Sequence, residues 1–368
     1  MYQRDWIDLA AYEHVPESYV SEVLDDFFDL AKMGFTYQPW AHFSEPLFAG
    51  KRVHVVHDQL GFPTRLTMNP PNEQGRPEIR IFVLGGSTTF GYNVSDEHTF
   101  PTHLSAVLNE RARAENLVAH IEVTNYGRGF YYPSQETALL IDLLRMGHRP
   151  NLVIFMDGVN LGDLQDLPPF YSRFERRFRS MQFSGLDPAN QSASWISERL
   201  GWIPMVRVTK AIQNRMSAAP KKPEEEQEKE DFETRHGVNM FRQNQLISRA
   251  VCQAYKIECL FFLQPNAVFN YPTQLWRRSL PKSFMKSRDW LQLVYAQMQQ
   301  DEGRIYLGDL FRLYGEGRKA IVDDCHYSPG FGRFLAEHVA KYVNLGRLVP
   351  GASGIKETEA TGTARTSN

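Results

Sequence analysis

Five short, nearly continuous apolar runs alternate with longer amphipathic stretches, and this alternation constrains the fold more than any other feature of the chain. The runs are residues 78–84 (EIRIFVL), 120–125 (HIEVTN), 151–156 (NLVIFM), 257–263 (IECLFFL) and 304–307 (RIYL). A strand that is apolar on both faces needs cover on both faces, the situation of parallel strands between two layers of helices. Helical periodicity fills the gaps. Phe100, Leu104, Val107 and Leu108 share one face, and residues 134–146, 241–255, 287–298 and 329–343 carry comparable patterns. The repetition predicts an α/β protein, a three-layer α/β/α sandwich with a parallel sheet. Sites in such sheets form beyond the carboxyl ends of the strands.

Three regions fall outside the repeat. Residues 1–75 hold a helical stretch at 19–30, an aromatic, Pro-containing segment and a strand-like RVHVVH at 52–57, and are expected to pack as an extension on the core. The main domain is expected over 76–350, interrupted by an insertion at 162–235. Within the insertion, 217–231 (SAAPKKPEEEQEKED) reads as a solvated charged linker. The small, polar residues 351–368 read as a disordered tail.

Composition narrows the class. With 42% hydrophobic and 23% charged residues, a coiled coil, a collagen-like chain and a mostly disordered chain are excluded. A net charge of −2 gives no general attraction to nucleic acid or acidic lipid, so neither is expected as a partner. Cys252, Cys259 and Cys325 are too few for a disulfide framework. No run approaches the roughly 18 apolar residues of a membrane span. The opening MYQRDWIDLAAYEHVPES lacks the apolar centre of a signal peptide. The expectation is therefore a cytoplasmic protein, or an exported or membrane-tethered one if further residues precede this N-terminus.

Four short blocks stand at predicted strand ends. Gly85-Gly86-Ser87-Thr88-Thr89-Phe90-Gly91 follows the first run, and Asn125-Tyr126-Gly127-Arg128-Gly129 follows the second. Asp157-Gly158-Val159-Asn160 follows the third, and Asp323-Asp324-Cys325-His326 comes after the fifth. A serine on a glycine-flanked turn projects its hydroxyl over the sheet edge but needs an adjacent base to act as a nucleophile. His326 titrates in the right range to be that base. A carboxylate three residues earlier can fold back to the far ring nitrogen and fix the tautomer. The Ser87 N–H, an N–H of the 127–130 turn and the Asn160 amide are candidate donors to a developing oxyanion.

In order and strand context the four blocks resemble those of the SGNH, or GDSL-like, serine hydrolases, over roughly residues 78–345. The resemblance implies a flavodoxin-like five-stranded parallel sheet in the order 2-1-3-4-5. It implies Ser87 as nucleophile, His326 as base, Asp323 as its orienter and Asn160 as an oxyanion donor. It further implies an esterase with no cofactor or metal, acting on a small-molecule or glycan ester, such as an O-acyl group on a carbohydrate or lipid-like molecule. The chain departs from the family in three places. The first block reads Gly-Gly-Ser rather than Gly-Asp-Ser, and Leu161 stands where an Asp often follows the Asn. The family's second-block glycine corresponds to Phe130, with Gly127 and Gly129 nearby as alternative backbone donors.

Other readings stand beside these. Asp324 rivals Asp323 as orienter, and Cys325 is either a thiol nucleophile or an inert loop residue. His54 and His57, three apart on a strand, face opposite ways, and no HExxH or paired Cys-x-x-Cys occurs, so no metal site is expected. No Gly-x-Ser-x-Gly elbow surrounds Ser87. Residues 170–183 (FYSRFERRFRSMQF) read either as a substrate grip, with Phe170 and Tyr171 in contact, or as an amphipathic helix with a basic face. Gln264, after the fourth run, is a substrate-side hydrogen bonder, a supporting residue or a turn. An O-acyltransferase, and a binding module that kept the fold without turnover, are the alternatives to a hydrolase.

Overall fold

A computed structural model describes residues 6–160, 223–275 and 292–349. The chain divides into two compact units, one of Met1–Asn160 with Phe241–Asn368 and the other Leu161–Met240. Among the described residues, the first holds an eight-stranded sheet in the order β10-β9-β8-β6-β7-β5-β4-β3. Its strands are β3 (Phe48–Ala49), β4 (His54–His57), β5 (Pro63–Arg65), β6 (Glu78–Gly85), β7 (His120–Asn125), β8 (Leu152–Asp157), β9 (Glu258–Leu263) and β10 (Ile305–Tyr306). A separate antiparallel pair, β1 (Thr36–Gln38) and β2 (His42–Ser44), precedes them.

The five strands from β6 to β10 pair in parallel, and in chain order they lie 2-1-3-4-5. Their runs are largely apolar because both faces are covered over most of their length. Ile79, Ile81 and Val83 of β6 face α3 (Phe100–Ala114) and a C-terminal helix, Pro329–Ala340, in one buried cluster with Leu104, Leu108, Leu335 and Val339. The alternate residues Phe82 and Leu84 point the other way, and α4 (Pro133–Arg145) lies against β6. Ile81 is fully buried, so truncating it to alanine costs about 2–5 kcal/mol. Two helices before α3 complete this part: α1 (Glu17–Met33) and the single turn α2 (Ser87–Phe90).

Several expectations are corrected. The sheet has eight strands rather than five, because the N-terminal segment does more than pack on the core. β5 joins β7 antiparallel through Arg65 and Asn125, and β4 and β3 follow it outward. β5 carries no apolar signal because its buried residues are Thr64 and Arg65, the latter fully enclosed and paired with Asp96 at 2.9 Å. Residues 223–231, read as part of a spacer, are the opening turns of a long helix, α5 (Pro223–Tyr255). The run is rich in Glu, Lys and Gln, which favour helix as much as solvation. Cys252 near the end of α5 and Cys259 in β9 form a disulfide, with Cα atoms 6.3 Å apart, that cysteine counting did not anticipate. Residues 292–298 are helical, within the predicted 287–298. The proposed tail at 351–368 and residues 162–222 of the insertion lie outside the described residues. No helix among the described residues is long and apolar enough to cross a membrane.

The C-terminal helix, α6 (Pro329–Ala340), begins with a Ser328 cap that accepts the Phe331 N–H, and a proline in its first turn. Just before it the chain folds on itself. The Val322 N–H donates to the His326 carbonyl at 2.9 Å, and the Ser328 N–H to the Ala320 carbonyl at 2.8 Å. The loop carrying the fourth block is thereby closed at its base and held over the carboxyl end of the sheet.

Candidate active site

Ser87 opens α2 directly after β6. Gly86 before it is required, since a Cβ there would sit 2.6 Å from the Asn160 amide nitrogen. The Ser87 hydroxyl lies 2.8 Å from His326 Nε2, and His326 Nδ1 lies 2.6 Å from Asp323 Oδ2. The second carboxylate oxygen, Oδ1, accepts the backbone N–H groups of Cys325 at 2.9 Å and His326 at 2.8 Å. Asn93 donates its side-chain amide to Oδ2 at 2.7 Å. It is Asp323, not Asp324, that meets the imidazole.

Burial alone pushes the His326 imidazole down. The Asp323 charge and hydrogen bond outweigh it and hold the ring well above its usual 6.5. Burial likewise raises the Asp323 carboxyl, but the His326 charge and the donors around it bring it below the ordinary carboxylate value. Cys325 stands beside the ring, its sulfur 3.7 Å and 3.8 Å from the two nitrogens. Burial pushes its thiol up, which disfavours the thiolate a cysteine nucleophile needs. Asp323, Cys325 and His326 also form a group of three close potential metal ligands, but the Asp323 carboxylate already accepts hydrogen bonds on both oxygens.

The oxyanion side is only partly as expected. Among the described residues the Ser87 N–H, at the first helical position, has no acceptor. The Asn160 amide packs on Gly86 and gives one N–H to the Tyr131 carbonyl at 2.8 Å, which leaves it a second. Gly127 and Gly129, expected as backbone donors, are engaged elsewhere. The Gly127 N–H donates to Asn125 Oδ1 at 2.9 Å and the Gly129 N–H to Glu45 Oε1 at 2.7 Å. The second-block turn therefore supports Asn160 through Tyr131, and its two glycine N–H groups point into the fold. Phe130, at the tip, takes a left-handed φ of 65°.

Of the readings open for Gln264, its contacts are those of a supporting residue. It is 2% exposed, and its Oε1 accepts from Thr88 at 2.8 Å and Tyr327 at 2.9 Å, while its Nε2 donates to the Met156 carbonyl. It ties the residue after the nucleophile to the strand beneath. Phe170 and Tyr171 lie outside the described residues. Behind Asn160, Asp157 of β8 and Glu136 of α4 form a buried carboxyl pair. Burial raises both, and the Asp157 charge raises Glu136 further. Asn93, Tyr92, Glu45 and Tyr131 were not singled out in the sequence. Tyr92 and Asn93, directly after Gly91 of the first block, and Tyr131, directly after Phe130 of the second-block turn, had a signal within reach; Glu45 had none.

No protein-family model matches the chain, and no curated protein matches it. Similar solved structures include a putative lipolytic protein of the G-D-S-L family from Desulfitobacterium hafniense DCB-2, at 13% identity and a TM-score of 0.33 over 72% of this chain and 99% of that one. The acetyl xylan esterase AlAXEase is similar at 12% identity and a TM-score of 0.34, over 72% of this chain and 100% of that one. TesA is similar at 14% identity and a TM-score of 0.35, over 74% and 98%.

Proposed function

We propose that the chain is a serine hydrolase of ester bonds. The observation that carries this reading is the line of contacts Ser87 Oγ to His326 Nε2 at 2.8 Å and His326 Nδ1 to Asp323 Oδ2 at 2.6 Å. In the reaction, neutral His326 takes the Ser87 proton as Oγ attacks the ester carbonyl. Asp323 stabilises the imidazolium that forms. The Ser87 N–H and the second N–H of Asn160 are the donors offered to the oxyanion. Collapse of the tetrahedral intermediate expels the alcohol, which receives its proton from His326, and leaves an acyl-Ser87. Water, deprotonated by His326, then releases the acid. The substrate class in this reading is an O-acyl ester of a carbohydrate or lipid-like alcohol, supported by the ordered four-block resemblance.

The test is a series of nitrophenyl esters of increasing chain length, with wild type and Ser87→Ala, alongside a fluorophosphonate probe. Turnover and labelling that both vanish in Ser87→Ala are expected. No turnover on any ester, together with no label on Ser87, would leave the fold as a binding module.

A further inference from the structure

The N-terminal segment reaches the site from behind. Glu45, just past β2, is 1% exposed. Its Oε1 accepts the Gly129 N–H at 2.7 Å and the Tyr92 hydroxyl at 3.0 Å. The Tyr92 ring is stacked on the His326 imidazole, with centroids 5.4 Å apart and planes 18° from parallel. Gly129 has to be glycine, since a Cβ there would lie 2.6 Å from the Tyr92 hydroxyl and 2.8 Å from Glu45 Oε1. From the same segment, the carbonyls of Ala41 and Phe43 accept the Tyr131 hydroxyl at 2.6 Å and 2.5 Å. The Tyr131 carbonyl is the one that holds the Asn160 amide. Trp40 and His42 beside it, and Phe130 opposite, take left-handed φ values of 70°, 72° and 65°. Residues with a Cβ adopt that region only where their surroundings hold them there.

We propose that Glu45 is a positioning residue of the site, fixing the 128–131 turn and Tyr92 together so that Asn160 and His326 face Ser87 in register. The kinetic consequence rests on the ester-hydrolase reading, whereas the clamp itself rests on geometry. Loosening the turn lets the Tyr131 carbonyl drift, and the Asn160 amide with it. That weakens contacts made to the transition state and leaves ground-state binding alone.

The experiment compares Glu45→Ala, Glu45→Gln, Tyr92→Phe and Tyr92→Leu for kcat and KM, with amide hydrogen exchange followed over residues 126–132. Glu45→Ala is expected to lower kcat about 30- to 100-fold with KM within about twofold. Glu45→Gln keeps an acceptor oxygen and should recover most of kcat. Tyr92→Phe keeps the stack and should lose only a few-fold, whereas Tyr92→Leu should lose at least tenfold. Exchange over the turn should rise in Glu45→Ala and not in Glu45→Gln. A folded Glu45→Ala with wild-type kcat, or a Gln variant as impaired as Ala, overturns the proposal. If Glu45→Ala does not fold, wild-type kcat in Tyr92→Leu overturns it instead. If the wild type turns over no ester, the hydrolase reading falls. Exchange then decides the clamp by itself, with unchanged protection in Glu45→Ala, or in Tyr92→Leu should Glu45→Ala not fold, ruling it out.

Discussion

Asn93 donates its side-chain amide to the same Asp323 oxygen that faces the His326 imidazole, across 2.7 Å, while its own backbone sits in the left-handed region at φ 66°. The side chain and the backbone of Asn93 can be separated by substitution. Asn93→Gly keeps the turn and removes the donor, so kcat should fall about tenfold, since hydrogen bonds to charged groups are worth about 1.5–3 kcal/mol. Asn93→Ala should lose the same rate and about 1–2 kcal/mol of stability as well, because alanine is strained at that φ. Urea midpoints measured beside kcat read the two effects, and equal rates for wild type and Asn93→Gly would show the contact to be idle.

Ser87 and His326 act as one unit in the proposed reaction. Each alanine variant should lose about 10⁴-fold or more, and the double variant should be little worse than either single one. Losses that multiplied in the double variant would mean that the two side chains work independently.

The pH profile follows from the direction of the His326 shift. The base acts when neutral, and Asp323 holds its proton on well above 6.5. The kcat/KM curve should therefore rise with pH through a midpoint above 6.5. Asp323→Asn removes the charge that raises the imidazole, so its midpoint should move down while the plateau drops steeply. Asp324→Asn should do neither. For stability the sign is opposite: a raised histidine pKa contributes below the unfolded value and is lost as pH rises through the folded one. A profile unmoved in Asp323→Asn would dissociate that carboxylate from the base.

Asn160 keeps a single N–H for substrate once Tyr131 has taken the other. Asn160→Ala should lower kcat by roughly 10²–10³ with KM nearly constant. A rise in KM at constant kcat would make the amide a ground-state contact.

Glu136 and Asp157 titrate in the opposite sense to Asp323. Both are raised by burial, so above the usual carboxylate range the folded state binds more protons than the unfolded one. Stability should decline as pH climbs from about 4 to the folded value of the pair and level off above it. Glu136→Gln supplies a permanent donor to Asp157, so the difference in Tm between pH 5 and pH 8 should shrink. An equally steep dependence in Glu136→Gln would place its origin elsewhere.

The parallel strands are legible because each is a short, largely apolar run, such as Ile81 to Leu84. Ser87 and Asn160 are legible because they closely follow such runs, and His326 because it closes an Asp-x-x-His block near the C-terminus. What could not be read depends on partners far along the chain. Glu45 meets Tyr92 and Gly129 at separations of 47 and 84 residues, and as a lone acid in an aromatic, Pro-containing segment it carries no motif that marks it. Arg65 belongs to a strand yet looks like a loop cation, since its burial depends on Asp96. Gly127 and Gly129 fitted a donor role by position, but which way an N–H points is set by acceptors the sequence does not place, here Asn125 and Glu45. Gln264 keeps several readings in the sequence for the same reason: the strand end predicts its location, not the partners Thr88, Tyr327 and Met156 that hold its side chain.

One property of the sheet concerns the protein in a crowded solution. Among the described residues its outermost strands, β3 and β10, are two residues long each. A strand edge is a template on which another chain can add, and long flat edges are where aggregation begins. Tapering from the long central β6 to two-residue strands on both sides leaves a neighbouring copy almost no ladder to extend. That gives the N-terminal strands a protective task apart from the chemistry, since without them β7, a six-residue strand, would be the open border.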